Sequence, residues 1–329
     1  MRVFLTGGTG HLGSEVARLL VKRGDQVRAL VRDPDKAGAL RELGCDLVPG
    51  DLSDEPALVM ALRGAGALVH CAERAVVGAP DSGRAELVDT NVCGTERMLG
   101  AGLTAGVHKA VHLSSVEVFG DTMGRVVDES WTRDPALPWR SVYEETKAVA
   151  HGRAQDLAAR GLPVTVVQPG LVYGPGDPSA FGELLRRCVQ GQRTTLAFAD
   201  HGVVPVHRDD VAEGVVRALD KGVPGESYVL AGQPVRVREL LAELARQCER
   251  RAPRAVPSAL LRLLSPLGGL AGPALGLEPN LAELRRACDG VTSWASSDKA
   301  ARELGWTARP LAAGLASLVA EHRPAVGSR

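Results

Sequence analysis

The glycine run Thr6-Gly7-Gly8-Thr9-Gly10-His11-Leu12-Gly13 constrains this chain more than any other segment. Its spacing is TGxxGxxG. It stands between an aliphatic run, Arg2–Leu5, and a stretch from Leu12 to Lys22 whose apolar residues lie three and four apart, the period of a helix. Glycines at such a strand-to-helix junction let the backbone turn tightly, let a pyrophosphate approach without meeting a Cβ, and let the helix pack close to the strand. The helix N-terminus then offers unpaired N–H groups and a partial positive charge to phosphate oxygens. The segment predicts a dinucleotide site built from Gly7, Thr9, Gly10, His11, Leu12 and Gly13.

Further β-branched or aliphatic runs recur at Gln26–Val31, Asp46–Val48, Ala67–His70, Lys109–Leu113 and Val164–Val167, with helical patterns such as Arg84–Ala101 between them. Strand and helix alternating at this rhythm predict parallel βαβ units, and strands with little polar alternation predict a sheet covered on both faces. The expected fold is α/β, a Rossmann-type doubly wound parallel sheet with a smaller helix-rich C-terminal substrate lobe. Residues 1–169 form the nucleotide-binding domain, with 204–231 returning to it. Residues 170–203 and 232–329 form the lobe, laid over the C-terminal sheet edge where open α/β sheets bind ligands.

Composition narrows the partners. Lys plus Arg equals Asp plus Glu at 39 each, so there is no basic excess to grip nucleic acid or an anionic membrane. Aromatics at 3% are too few for base-stacking platforms. The six cysteines (Cys45, Cys71, Cys93, Cys188, Cys248, Cys288) form no CxxC and no Cys/His cluster, so no metal site is expected and they read as small buried hydrophobes in a reducing compartment. Met1 runs directly into the first strand without a signal peptide. The apolar stretch Ala259–Leu277 is broken by Arg262, Pro266, Pro273 and glycines, which makes a poor membrane span. A soluble cytoplasmic protein acting on a small molecule is expected.

Tyr143 and Lys147, four apart in SVYEETKAVAH, share one helix face. A free phenol near pKa 10 trades protons poorly at pH 7, and an ammonium alongside favours the phenolate. Bringing the phenol near 7 takes about 4 kcal/mol, shared between the lysine and a nicotinium charge. Past the fifth strand run, Ser114 or Ser115 stands where a hydroxyl can donate to a substrate carbonyl oxygen as charge develops on it. At the end of the second run, Arg32 can clamp a ribose 2′-phosphate, whereas Asp33 can serve as the ribose carboxylate one place late. Asp51 and Leu52 address the adenine, and Cys71 and Ala72 lie along the cofactor. His207, Asp209 and Asp210 read as a capped helix start with an acidic N-cap, and Asp298 as another cap.

These groups together resemble the extended short-chain dehydrogenase/reductase, or epimerase/dehydratase, family. The likeness runs through TGGTGHLG, GDL at 50–52, HCA at 70–72, NVCGT at 91–95, SSVEVFG at 114–120, YEETK at 143–147, QPGLVYGPGD at 168–177, VHRDDVA at 206–212 and SDKAARELGW at 297–306. The resemblance implies that Ser115, five before Gly120, is the catalytic hydroxyl. It makes Tyr143 the general acid/base and has Lys147 also bind the nicotinamide ribose. It puts Asn91, Pro169 and Val172 against the cofactor, and Glu117 and Tyr173 toward the substrate. NAD-using relatives carry a carboxylate where this chain has Val31, and VRDPDK looks like the NADP-binding turn of dihydroflavonol reductases. Both favour NADP over NAD.

SSVEVFG and NVCGT look most like 3β-hydroxysteroid dehydrogenases, and the apolar region beginning AVPSALLRLL suits that branch. The implied activity is an NADP(H)-dependent ketone reductase or secondary-alcohol dehydrogenase on a hydrophobic small molecule. Hydride would move between nicotinamide C4 and the carbonyl carbon. The rival is an NAD-dependent sugar-nucleotide epimerase or dehydratase. Ser115-Val116-Glu117 stands where sugar-nucleotide dehydratases usually have Thr-Asp-Glu, so the aspartate acid is absent while Glu117 remains. Gln168 for arginine and His151 for glutamate are further departures. The family also implies a homodimer that pairs the helices carrying Asn91 and Tyr143.

Overall fold

The computed structural model describes residues 1–78, 83–192, 194–256 and 281–322. Six strands, β1 (Arg2–Thr6), β2 (Gln26–Val31), β3 (Asp46–Pro49), β4 (Ala67–His70), β5 (Lys109–Leu113) and β6 (Val164–Pro169), join Ser227–Leu230 in a seven-stranded sheet. The order is Ser227–Leu230, β6, β5, β4, β1, β2, β3, and every pairing is parallel. The chain works outward from β1 to one edge, then returns through β4 to the other. That reversal opens a crevice at the C-terminal ends of β1 and β4.

Both faces are covered, as the apolar strands require. On one face the helix His11–Lys22 packs against Arg208–Lys221 over Leu5, Val69, Val111 and Val167. On the other, helices Glu55–Leu62, Gly94–Ala105 and Val142–Ala159 cover Phe4, Leu68, Ala110 and Val166. A separate apolar core gathers Tyr173, Leu185, Leu196, Leu240, Leu244 and Leu315 from the later chain. Part of the 232–329 segment joins the sheet instead. Ala300, Leu304 and Trp306 pack into the first core, where the Trp306 indole donates to the Asp210 carbonyl at 2.7 Å.

Two expected caps differ from the acidic reading. His207, not an aspartate, caps Arg208–Lys221, its ring accepting from the Asp209 N–H. Ser297 stands at the N-cap before Asp298. The apolar region beginning AVPSALLRLL and the stretch Ala259–Leu277 lie largely or wholly outside the described residues. Among the described residues no helix is long and apolar enough to cross a membrane.

Candidate active site

The crevice is walled first by backbone. Gly7 has φ +72°, and a Cβ there would meet the Cys71 carbonyl at 2.6 Å; one on Gly13 would lie 2.1 Å from the Gly7 oxygen. The glycine loop and the end of β4 therefore close on each other with no room for side chains. Gly10 precedes the helix without a capping side chain, the first turn carries no acidic residue, and Thr9 and Gly10 are exposed. The helix thus starts with its N–H groups open and its positive end uncompensated, which fits a diphosphate. His11 and Leu12 are half-buried behind this opening.

Asp51 and Leu52 follow β3. The Asp51 carboxylate accepts from the Ser53 N–H at 2.7 Å and from the Ser53 hydroxyl, and these bonds hold its pKa below the usual value. Leu52 lies against Gly94. Arg32 is exposed after β2, while Asp33 is occupied: its side chain accepts from the Asp35 N–H at 3.1 Å and pairs with Lys36 at 3.1 Å. Pro169 is buried at the end of β6, opposite Leu230, and Val172 packs against the sheet core.

The second wall is made of side chains. Ser141 caps the helix Val142–Ala159 by accepting from the Glu144 N–H at 3.0 Å, which fixes the turn carrying Tyr143 and Lys147. From the later chain, Glu283 on the helix Leu281–Cys288 accepts from the Val142 N–H at 3.1 Å, so a second element pins the same turn. The two serines part ways. Ser114 is hydrogen-bonded to His151 at 2.9 Å, whereas Ser115 acts on the Tyr143 phenol, drawing its pKa down. The Ser115 oxygen accepts from the Glu117 N–H at 3.2 Å, leaving its own proton for another acceptor.

Lys147 is 2% exposed and donates to the Leu113 carbonyl at 2.8 Å and to Glu73 Oε2 at 2.6 Å. Glu73 was not expected from the sequence. It follows Cys71 and Ala72 directly, and a carboxylate at the end of a central strand was the available signal. The expected lowering of the phenol by Lys147 is not found. Burial pushes Tyr143 well above its ordinary value, the carboxylates of Glu73 and Glu117 push the same way, and only the Ser115 hydrogen bond acts against them. The lysine's charge is met by Glu73.

Asn91 sits in a single π-helical turn, Asp89–Cys93, a distortion that often marks functional sites. Its oxygen accepts from the Arg74 N–H at 2.8 Å, and its amide donates to the Arg74 carbonyl at 3.0 Å and to the Thr146 hydroxyl at 3.2 Å. Both amide protons are thus used inside the protein. Asn91 ties the residue after Glu73 to the residue before Lys147. Tyr173, expected against the substrate, is 1% exposed in the later-chain core, edge-on to His207 with its hydroxyl against Gly314. Glu117 lies near Tyr143 and 3.8 Å from Arg140, whose Nε donates to Glu144 at 2.9 Å.

Beneath this wall lies a buried polar row. The His70 ring bonds the Thr6 hydroxyl at 2.7 Å and the Thr95 hydroxyl at 3.1 Å. Its register partner His112 stacks on it, with ring centroids 5.5 Å apart.

Residues 3–231 match the NAD dependent epimerase/dehydratase family. The chain belongs to that family. Among this family member's relatives, sterol demethylase protein B of Methylococcus capsulatus is 34% identical over 98% of each chain. The 4-hydroxy-2-methyl-3-oxo-4-farnesyl-3,4-dihydroquinoline-1-oxide ketoreductase of Stigmatella aurantiaca is 33% identical over 94% of this chain and 92% of its own. The dTDP-glucose 4,6-dehydratase of Streptomyces venezuelae, solved with NAD bound, superposes with a TM-score of 0.80 at 26% identity, over 98% of this chain and 97% of its own. The epimerase/dehydratase fold and the site place this protein among NAD(P)-dependent enzymes of the extended short-chain dehydrogenase/reductase type.

Proposed function

We propose that this enzyme is an NADP(H)-dependent ketone reductase, or secondary-alcohol dehydrogenase in reverse, acting on a hydrophobic small molecule. The observation that carries the reading is the hydroxyl pair of Ser115 and Tyr143 beside a buried, fixed Lys147. When bound, the nicotinamide supplies or takes up the hydride at the substrate carbon. Ser115, its oxygen already accepting from Glu117, donates its proton toward the carbonyl oxygen and polarises it. Tyr143 delivers a proton to that oxygen in reduction and regains one from solvent. Lys147 keeps one N–H free, since two of its three are engaged, and this one addresses the nicotinamide ribose.

Gly7, Thr9, Gly10, His11, Leu12 and Gly13 hold the diphosphate, with Asp51, Leu52, Cys71, Ala72, Pro169 and Val172 along the rest of the cofactor. NADP is preferred because Arg32 stands open to a 2′-phosphate while Asp33 is engaged with Asp35 and Lys36. The names of the sterol demethylase protein and the farnesyl-quinoline ketoreductase support a greasy substrate. We place the enzyme in the cytoplasm as a homodimer, with neither nucleic acid nor membrane as a partner.

A second reading, a sugar-nucleotide dehydratase or epimerase, is favoured by the position of Glu117 near Tyr143 and by the dehydratase likeness. Incubation with hydrophobic ketones and with sugar nucleotides separates the two. Stoichiometric NADPH oxidation with a ketone is expected; turnover of a sugar nucleotide on a bound NAD that is not consumed would overturn the reductase.

A further inference from the structure

We propose that Glu73 is a positioning residue of the acid–base pair, holding the Lys147 ammonium by a direct ion pair and offsetting its charge beside the Tyr143 phenol. The inference rests on the reductase reading above. It starts from geometry. Glu73 Oε2 lies 2.6 Å from Lys147 Nζ, and the Leu113 carbonyl takes a second N–H at 2.8 Å. The loop that presents Glu73 is itself fixed, because Asn91 bonds both backbone groups of Arg74 and reaches across to Thr146. Two adjacent pairs, Arg74–Glu73 and Thr146–Lys147, are thereby locked together through one amide. A surface carboxylate that met the lysine by chance would not need such support.

The consequence follows from charge. An ammonium alone beside a phenol favours the phenolate, whereas an ammonium with its counter-charge fixed does so far less. Glu73 thus limits how far Lys147 draws the phenol toward the phenolate.

Among the groups packed around the pair, burial shifts the imidazoles down and the thiols up. On β4, burial pulls His70 down to about 3 and pushes the Cys71 thiol up to about 12. On β5, His112 is held well below its usual value, and on the Tyr143 helix burial takes His151 to about 4. From the helix Leu281–Cys288, the Cys288 thiol is pushed up to about 12 by burial, and Glu283 is engaged with Val142. Glu117 is the second carboxylate acting on the phenol, with Arg140 at 3.8 Å and Glu144 behind it. A shift on changing Glu73 is therefore a shift of the phenol.

The test uses the intact protein carrying Glu73→Gln, which keeps the shape and an acceptor for Lys147. A proton donor must be protonated, so reduction falls as pH rises through the phenol's pKa. Removing the neighbouring negative charge lowers that pKa, and the falling limb should move down by about one pH unit. The second readout needs no turnover. The chain has three tyrosines, so the ultraviolet tyrosinate titration, differenced against Tyr143→Phe, isolates Tyr143 and should show its midpoint moving the same way. Glu73→Asp, which keeps the charge, should stay closer to wild type. Glu73→Ala gives the same reading if the glutamine variant does not accumulate. Unchanged midpoints with lowered rate would make Glu73 merely structural and overturn the inference, leaving the reductase reading intact. A Tyr143→Phe enzyme that still turns over would instead remove the reading itself.

Discussion

The two walls of the crevice are built from different materials. The nucleotide wall is backbone: Gly7 and Gly13 close against Cys71 and each other, and the opening is defined by the side chains that are missing. The acid–base wall is side chain and charge: Tyr143, Lys147, Ser115 and Glu73 come from three separate parts of the chain, and each sets the state of another. A wall of shape binds without regard to pH and tolerates change poorly at a few atoms. A wall of charge can be retuned by one residue without altering its outline.

Tyr143→Phe should separate the walls most sharply. It keeps the ring and removes the proton, and a general acid contributes about 10²–10⁴-fold. Turnover should fall by that order while NADPH affinity, read by fluorescence titration, stays close to wild type. A mutant with more than half its activity would show that proton transfer lies elsewhere.

A smaller effect is expected on the other side. If Arg32 reads the 2′-phosphate as proposed, Arg32→Ala should remove a charge-assisted contact worth about 1.5–3 kcal/mol, or roughly 10- to 100-fold in NADPH binding. NADH lacks the phosphate and should bind as before. Equal weakening of both would mean that Arg32 does not read the phosphate.

The smallest change is expected at Glu117. Plain hydride transfer needs no second proton transfer at carbon, so Glu117→Gln should alter turnover by less than about tenfold. A loss as large as that of Tyr143→Phe would move the enzyme to the dehydratase reading.

The same division explains what was legible in the sequence. The strand runs, the glycine loop and the Tyr143–Lys147 face follow from local period and spacing, and the structure forms them over nearly the expected residues. Glu73 was missed because its meaning depends on a lysine 74 positions away. The motif locates Asn91 but does not show that Arg74 and Thr146 use both its amide protons. Tyr173 was expected toward the substrate from the family resemblance, yet its ring fills a core assembled from residues up to Val319, a tertiary demand that no local pattern carries. The choice between Ser114 and Ser115 was left open by spacing, and depends on which way two adjacent side chains point.

The histidines beneath the site carry a consequence for how the molecule fails. His70 and His151 are held neutral, at about 3 and about 4, and His112 lies lower than its free value as well. In the unfolded chain each takes up a proton near pH 6.5. The native state therefore keeps its full margin above that pH and loses it as the solution acidifies toward the folded values. His70 and His112 lie on neighbouring strands and His151 on the Tyr143 helix, and the charge of Lys147 acts on all three. Mild acid thus costs this protein stability through the rings buried in the floor of its own cleft.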